Sequence, residues 1–82
     1  MRTDKSTKQA PFRVYTPAAL GTAIRHYRQQ SGLSQAELAE LTGLNRTYLS
    51  TLEHGQETEQ QRRLFRVLRQ LGVRVSLERI ED

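Results

Sequence analysis

The 82-residue sequence has no cysteine and no tryptophan, only two prolines and one methionine, and as aromatics three tyrosines and two phenylalanines. Without cysteine there can be no disulfide framework and no thiolate metal site. The histidines, His26 and His54, stand alone, with no partner at metal-ligand spacing. His26 reads as a helix-surface residue. No apolar run is long enough to cross a membrane, and no signal peptide is visible. A reducing cytoplasm is the expected setting. Catalytic sets are also missing: there is no nucleophile–base–orienter combination and no phosphate-cradling loop. Glu37 and Glu40 read as helix-surface carboxylates. The expectation is a protein that is not an enzyme and holds neither metal nor cofactor.

What remains is one small domain with a modest core, of a size that gains from oligomerisation. Thirteen basic against nine acidic residues give a net charge of +4. An anionic partner such as nucleic acid fits that balance, as does an ordinary basic domain.

The most informative stretch is Ser34 to Gly55, which reads as two short helices joined by a tight turn. Ser34 and Glu37 have the spacing of a capping box, with Leu33 and Leu38 placed as a hydrophobic staple. Leu38, Leu41, Ala36 and Ala39 give a narrow apolar face. Gly43 suits a helix end. Asn45 can cap the next helix, with Leu44 and Leu49 repeating the staple. That helix buries Leu49 and Leu52 and leaves Arg46, Thr47, Ser50 and Thr51 outward. Two helices so short need a scaffold.

The flanks supply it. Residues 1–11 carry Arg2, Lys5 and Lys8 with no periodicity, and read as a flexible basic arm. Phe12 to Tyr15 alternates like a short strand. Thr16-Pro17 opens a helix that runs to about Ser31, with Leu20, Ile24 and Tyr27 on one face and Gly21 and Ala23 allowing close helix approach. Thr58 and Gln61 form a second possible capping box. The helix that follows carries Leu64, Phe65, Val67, Leu68 and Leu71 as an expected core stripe and Arg62, Arg63, Arg66 and Arg69 elsewhere, either as a solvated face or as a contact for phosphate or an acidic partner surface. After Gly72, Val73 to Glu78 alternates strictly as a strand. A strand needs a pairing partner. Phe12 to Tyr15 of the same chain is one, and the identical strand of a second copy is the other. The expected division is an arm over 1–11, a helix-turn-helix domain over 12–72 and a C-terminal strand and dimerisation tail over 73–82.

The run Arg28-Gln29-Gln30-Ser31-Gly32-Leu33-Ser34-Gln35-Ala36-Glu37-Leu38-Ala39, with Gly43-Leu44 and Leu49-Ser50-Thr51-Leu52-Glu53-His54-Gly55, resembles the phage-repressor (Cro-type, or XRE) helix-turn-helix family. The sequence departs from that pattern at Glu59 and Gln61, where the family carries a proline and then a leucine. The segments Phe12 to Pro17 and Leu64 to Leu71, and the strand directly after, are more narrowly similar to HipB-type antitoxins. The resemblance implies a mostly α fold: a lambda-repressor-like bundle of four to five helices with a C-terminal β-strand that pairs in a dimer through Val73, Val75 and Leu77. It also implies a bacterial, nucleoid-associated repressor. Its partners would be inverted-repeat operator DNA, a second copy and a HipA-type Ser/Thr kinase toxin, with no membrane. The alternative is a stand-alone repressor of the same family without a toxin.

A helix entering the major groove needs side chains near its N-terminus that reach base edges. Arg46 suits guanine O6 and N7, and Thr47 can meet a thymine methyl. With Ser50 and Thr51 one turn on, these four are the expected base contacts. Gln35, aided by the positive end of its helix, is the phosphate contact the resemblance implies. Ser34, Asn45, Tyr48 and His54 are expected to join it. Arg28 and Glu53 match a partly buried ion pair of the family.

Overall fold

The computed structural model describes residues 11–80, in the order β1 (Phe12–Val14), α1 (Pro17–Gln30), α2 (Gln35–Thr42), α3 (Arg46–Glu53), α4 (Glu59–Leu71) and β2 (Val75–Leu77). The expected arm, apart from Pro11, and the terminal Glu81-Asp82 lie outside the described residues.

Helix starts follow side-chain chemistry. Thr16 Oγ1 accepts from the Ala19 N–H, and Pro17 stands where a missing donor costs nothing. At α2 the capping box is complete: Ser34 Oγ accepts from the Glu37 N–H, and Glu37 Oε1 accepts from the Ser34 N–H at 2.8 Å. Asn45 Oδ1 caps α3 by accepting from the Thr47 N–H. Thr58 and Gln61 form the second box, so α4 begins without the family's proline. The turn between α2 and α3 is made at Gly43, where φ is +71°, a left-handed conformation that a side chain disfavours.

The bundle is held at two places. First, β1 and β2 pair antiparallel within the chain, Phe12 opposite Leu77, Arg13 opposite Ser76 and Val14 opposite Val75. This sheet lies on the core of Val14, Ala23 and Phe65, with Phe12, Ala19, Leu20, Leu68, Val75 and Leu77 packed around it. The Tyr27 hydroxyl donates to the Leu77 carbonyl and ties β2 to α1. His26 is not simply a surface residue: it is half-buried in a triangle of rings with Phe12, 4.8 Å away, and Tyr27, 5.3 Å away, which themselves lie 5.6 Å apart. Of the two strand partners legible in the sequence, the intrachain one is therefore in place. It takes one edge of β2 and turns Val75 and Leu77 toward the chain's own core. The other edge of β2 carries no strand among the described residues.

Second, the C-terminal end of α3 rests on α1. A Cβ added at Gly21 would come within 2.2 Å of the Leu52 carbonyl oxygen, and one at Gly55 within 2.7 Å of the Ala18 Cα. These two glycines set the distance between the scaffold and the helix expected to enter the groove.

Three apolar expectations are revised. Leu41 is exposed, so the inward face of α2 is Ala39 with half-buried Leu38. Leu52 is half-buried and Glu53, beside it, is buried. On α4 only Phe65 and, partly, Leu68 face the core, while Leu64, Val67 and Leu71 are more than half exposed. The reason is angular. Phe65 and Leu68 lie within one sector about 60° wide, whereas Leu64, Leu71 and Val67 lie about 70°, 90° and 130° round the helix from the centre of that sector, turned away from the same neighbours.

Candidate nucleic-acid interface

The N-terminal ends of α2 and α3 open on the same side of the molecule. Gln35, Arg46, Thr47, Ser50 and Thr51 line one open depression of about 360 Å³. The four expected base contacts and the expected phosphate contact are thus brought together. Arg46 is exposed and makes no hydrogen bond or ion pair with any described residue, leaving its fork of donors available.

The remaining expected contacts are more constrained than their residue types suggest. The Ser34 N–H is already taken by Glu37, so Ser34 can offer a phosphate only its Oγ–H. Asn45 has committed Oδ1 to its cap and retains Nδ2 as donor. His54 lies just past α3, with Nδ1 at 2.7 Å from the Ser50 carbonyl oxygen. A carbonyl only accepts, so Nδ1 carries the proton in that contact and Nε2 is the atom left to face outward. Tyr48 is half-exposed.

Behind this surface is a charged network. Arg28 Nε and Nη2 donate to Glu53 Oε2 and Oε1 at 2.6 and 2.9 Å, a bidentate pair whose side chains are 11 % and 2 % exposed. Arg28 Nη1 donates to the Leu33 carbonyl, which precedes α2. One guanidinium thus joins the end of α1, the entry to α2 and the end of α3. The Arg28 hydrogen bonds hold the Glu53 carboxyl below the usual carboxylate range, against the opposing effect of burial. The same pair raises Arg28. A further member was not legible in the sequence: Gln35 Nε2 donates to Glu53 Oε1 at 3.1 Å. The two are 18 positions apart, and no local pattern links them.

A family model described as a helix-turn-helix domain matches residues 19–79. The chain belongs to the helix-turn-helix family of DNA-binding regulators. An uncharacterised HTH-type transcriptional regulator, y4mF, of Sinorhizobium fredii is 34 % identical over 65 residues, covering 79 % of this chain and 86 % of that one. The antitoxin HipB of Escherichia coli K12 is 29 % identical over 65 residues, covering 79 % and 74 %. The ImmF control region 10 kDa protein of Bacillus phage phi105 is 38 % identical over 48 residues, covering 58 % and 53 %. No solved structure matches the chain. The family match takes in the depression and the Arg28–Glu53 pair, so these helix-turn-helix features belong to the matched region itself. Among the described residues no helix is long and apolar enough to cross a membrane, and no group of three or more potential metal ligands occurs.

Proposed function

We propose that this chain is a sequence-specific transcriptional repressor that binds an inverted-repeat operator as a homodimer and serves as the antitoxin of a HipA-type Ser/Thr kinase. The observation that carries the DNA-reading part is the uncommitted Arg46 guanidinium beside Thr47, Ser50 and Thr51 in one depression with Gln35. Base edges lie ahead of that helix end, and phosphates flank it at Gln35, Ser34, Asn45, Tyr48 and His54.

The second copy is assigned to the C-terminal side. Val75 and Leu77 lean on the chain's own core, so pairing there uses the backbone edge of β2 that carries no strand among the described residues. Exposed Val73 and the Leu64, Val67 and Leu71 flank of α4 supply the apolar area. A two-fold arrangement sets the recognition helices about 34 Å apart.

Likeness to the HipB antitoxins supports the toxin partner. A stand-alone repressor is the second reading, favoured by the higher identity to a relative named only as a transcriptional regulator. Co-expression with a kinase-like neighbouring gene product, followed by size exclusion with and without operator duplex, separates them. A stable complex that still shifts DNA supports the antitoxin. Intact DNA binding with no complex leaves the plain repressor.

A further inference from the structure

Gln35 carries a carboxamide, one end of which accepts and the other donates. A DNA phosphate only accepts, so the Gln35 side chain is useful at the backbone in one orientation and useless when flipped. Free glutamines at a surface have no reason to prefer either. Here the choice is made from behind, because Glu53 Oε1 lies 3.1 Å from Gln35 Nε2. The Glu53 side chain is 2 % exposed and is gripped at both oxygens by Arg28.

We propose that Glu53 is a positioning residue for DNA binding: it fixes the Gln35 carboxamide with Nε2 toward the protein, so that the second N–H of that nitrogen is presented to a phosphate. The proposal rests on the DNA-binding reading of this face. An ionised carboxylate has no proton to give and cannot bond the flipped amide oxygen. The Arg28 contacts keep it ionised by lowering its pKa. Arg28 also holds the Leu33 carbonyl, so the nitrogen is placed relative to the start of α2 as well as the end of α3. The ion pair therefore does more than join two helices. It sets which atom of Gln35 faces out, and pre-organises a contact that would otherwise lose rotamer freedom on binding.

The test is a double-mutant cycle on the full chain, with a fluorescent duplex of about 20 base pairs and mixed sequence, long enough for two half-sites. Mixed sequence suffices because phosphate contacts are common to all duplexes. Affinity is measured for the wild type, Glu53→Gln, Gln35→Ala and the double variant, at a temperature where circular dichroism shows each folded. The expected result is that Glu53→Gln and Gln35→Ala each weaken binding several-fold, and the double variant is no weaker than Gln35→Ala. If Glu53→Gln costs as much in the Gln35→Ala background as in the wild type, Glu53 acts only through the fold and the proposal is overturned. Should Glu53→Gln not fold, the side-chain amide resonances of Gln35 in the wild type decide. One proton of the pair should be hydrogen-bonded in the free protein, and the other should move when duplex is added. A pair at random-coil positions without DNA overturns the positioning role. A bonded proton in a protein that binds no duplex instead overturns the DNA-binding reading beneath it.

Discussion

At the scale of single residues, position in the network decides what a side chain is worth. Arg46 and Gln35 line the same depression, and the proposed interface gives them different parts of DNA, a base edge and a phosphate. Arg46→Ala should cost about 1–3 kcal/mol on the preferred operator, relax preference at one base pair per half-site and change little on scrambled duplex. Gln35→Ala should weaken both duplexes alike, since phosphates carry no sequence information. Fluorescence anisotropy on the two duplexes distinguishes the patterns, and an equal loss for Arg46→Ala on both would remove it from the base readers. Gly21 acts at a distance: Gly21→Ala would drive a methyl into the Leu52 carbonyl, so the chain should lose about 1–3 kcal/mol of stability or move α3 off α1. A denaturant titration measures that loss. Glu53 makes an acid-sensitive contribution. Its folded pKa lies below the unfolded value, so its stabilisation is complete above the ordinary carboxylate range and is lost as pH falls through the folded value. Melting temperature should therefore drop on acidification below about pH 4.5, and Glu53→Gln, already weaker by roughly 3–5 kcal/mol at neutral pH, should drop less steeply. Glu37 and Glu59 shift the same way through their hydrogen bonds to Ser34 and Arg62, but at exposed positions.

At the scale of elements, α4 shows the clearest division of labour. One sector, Phe65 and Leu68, holds it to the core. A second, Leu64, Val67 and Leu71, is apolar and exposed. A third carries Arg62, Arg66 and Arg69, roughly opposite the second by helical geometry. Within that third sector Arg62 is engaged by Glu57 and Glu59, whereas Arg66 and Arg69 make no hydrogen bond or ion pair with a described residue. Changing Leu64, Val67 and Leu71 together to glutamine should leave the monomer folded and weaken self-association, measured by sedimentation at micromolar concentration. Truncation after Gly72 is a harsher change. It removes β2 from β1 and uncovers Val14, so the shortened chain should lose both stability and operator affinity. If it stays folded and dimeric, the strand edge is not the interface.

At the scale of the molecule, the charge of +4 is unevenly used. The basic groups Arg46 on α3 and Arg66 and Arg69 on α4 are uncommitted among the described residues, while Glu53 is buried against Arg28. Under the proposed function, DNA is met at Arg46 and a protein partner at Arg66 and Arg69. Changing Arg62, Arg66 and Arg69 to alanine should slow association with a kinase partner and flatten its salt dependence, with DNA binding retained. Stopped-flow association at two ionic strengths checks this, and unchanged rates would exclude that face.

The sequence alone determined the local grammar of this protein. Caps at Thr16, Ser34, Asn45 and Thr58 and the turn at Gly43 depend on neighbours within a few positions, and they fall where the residues place them; of the alternating stretch Val73 to Glu78, only Val75–Leu77, the part that meets β1, is strand. The helix-turn-helix and its outward residues were legible for the same reason, with the spacing of a known family added. The tertiary structure decided whatever depends on distant neighbours. It chose β1 as the strand partner of β2, exposed three apolar residues of α4 that their place in a helical apolar stripe assigned to the core, and drew His26 into a ring cluster. It also set Gln35 against Glu53 across 18 positions. Hydrogen bonds at helix ends are written in short-range spacing, whereas the pairing of a strand edge and the orientation of a carboxamide depend on which surfaces meet once the chain has closed.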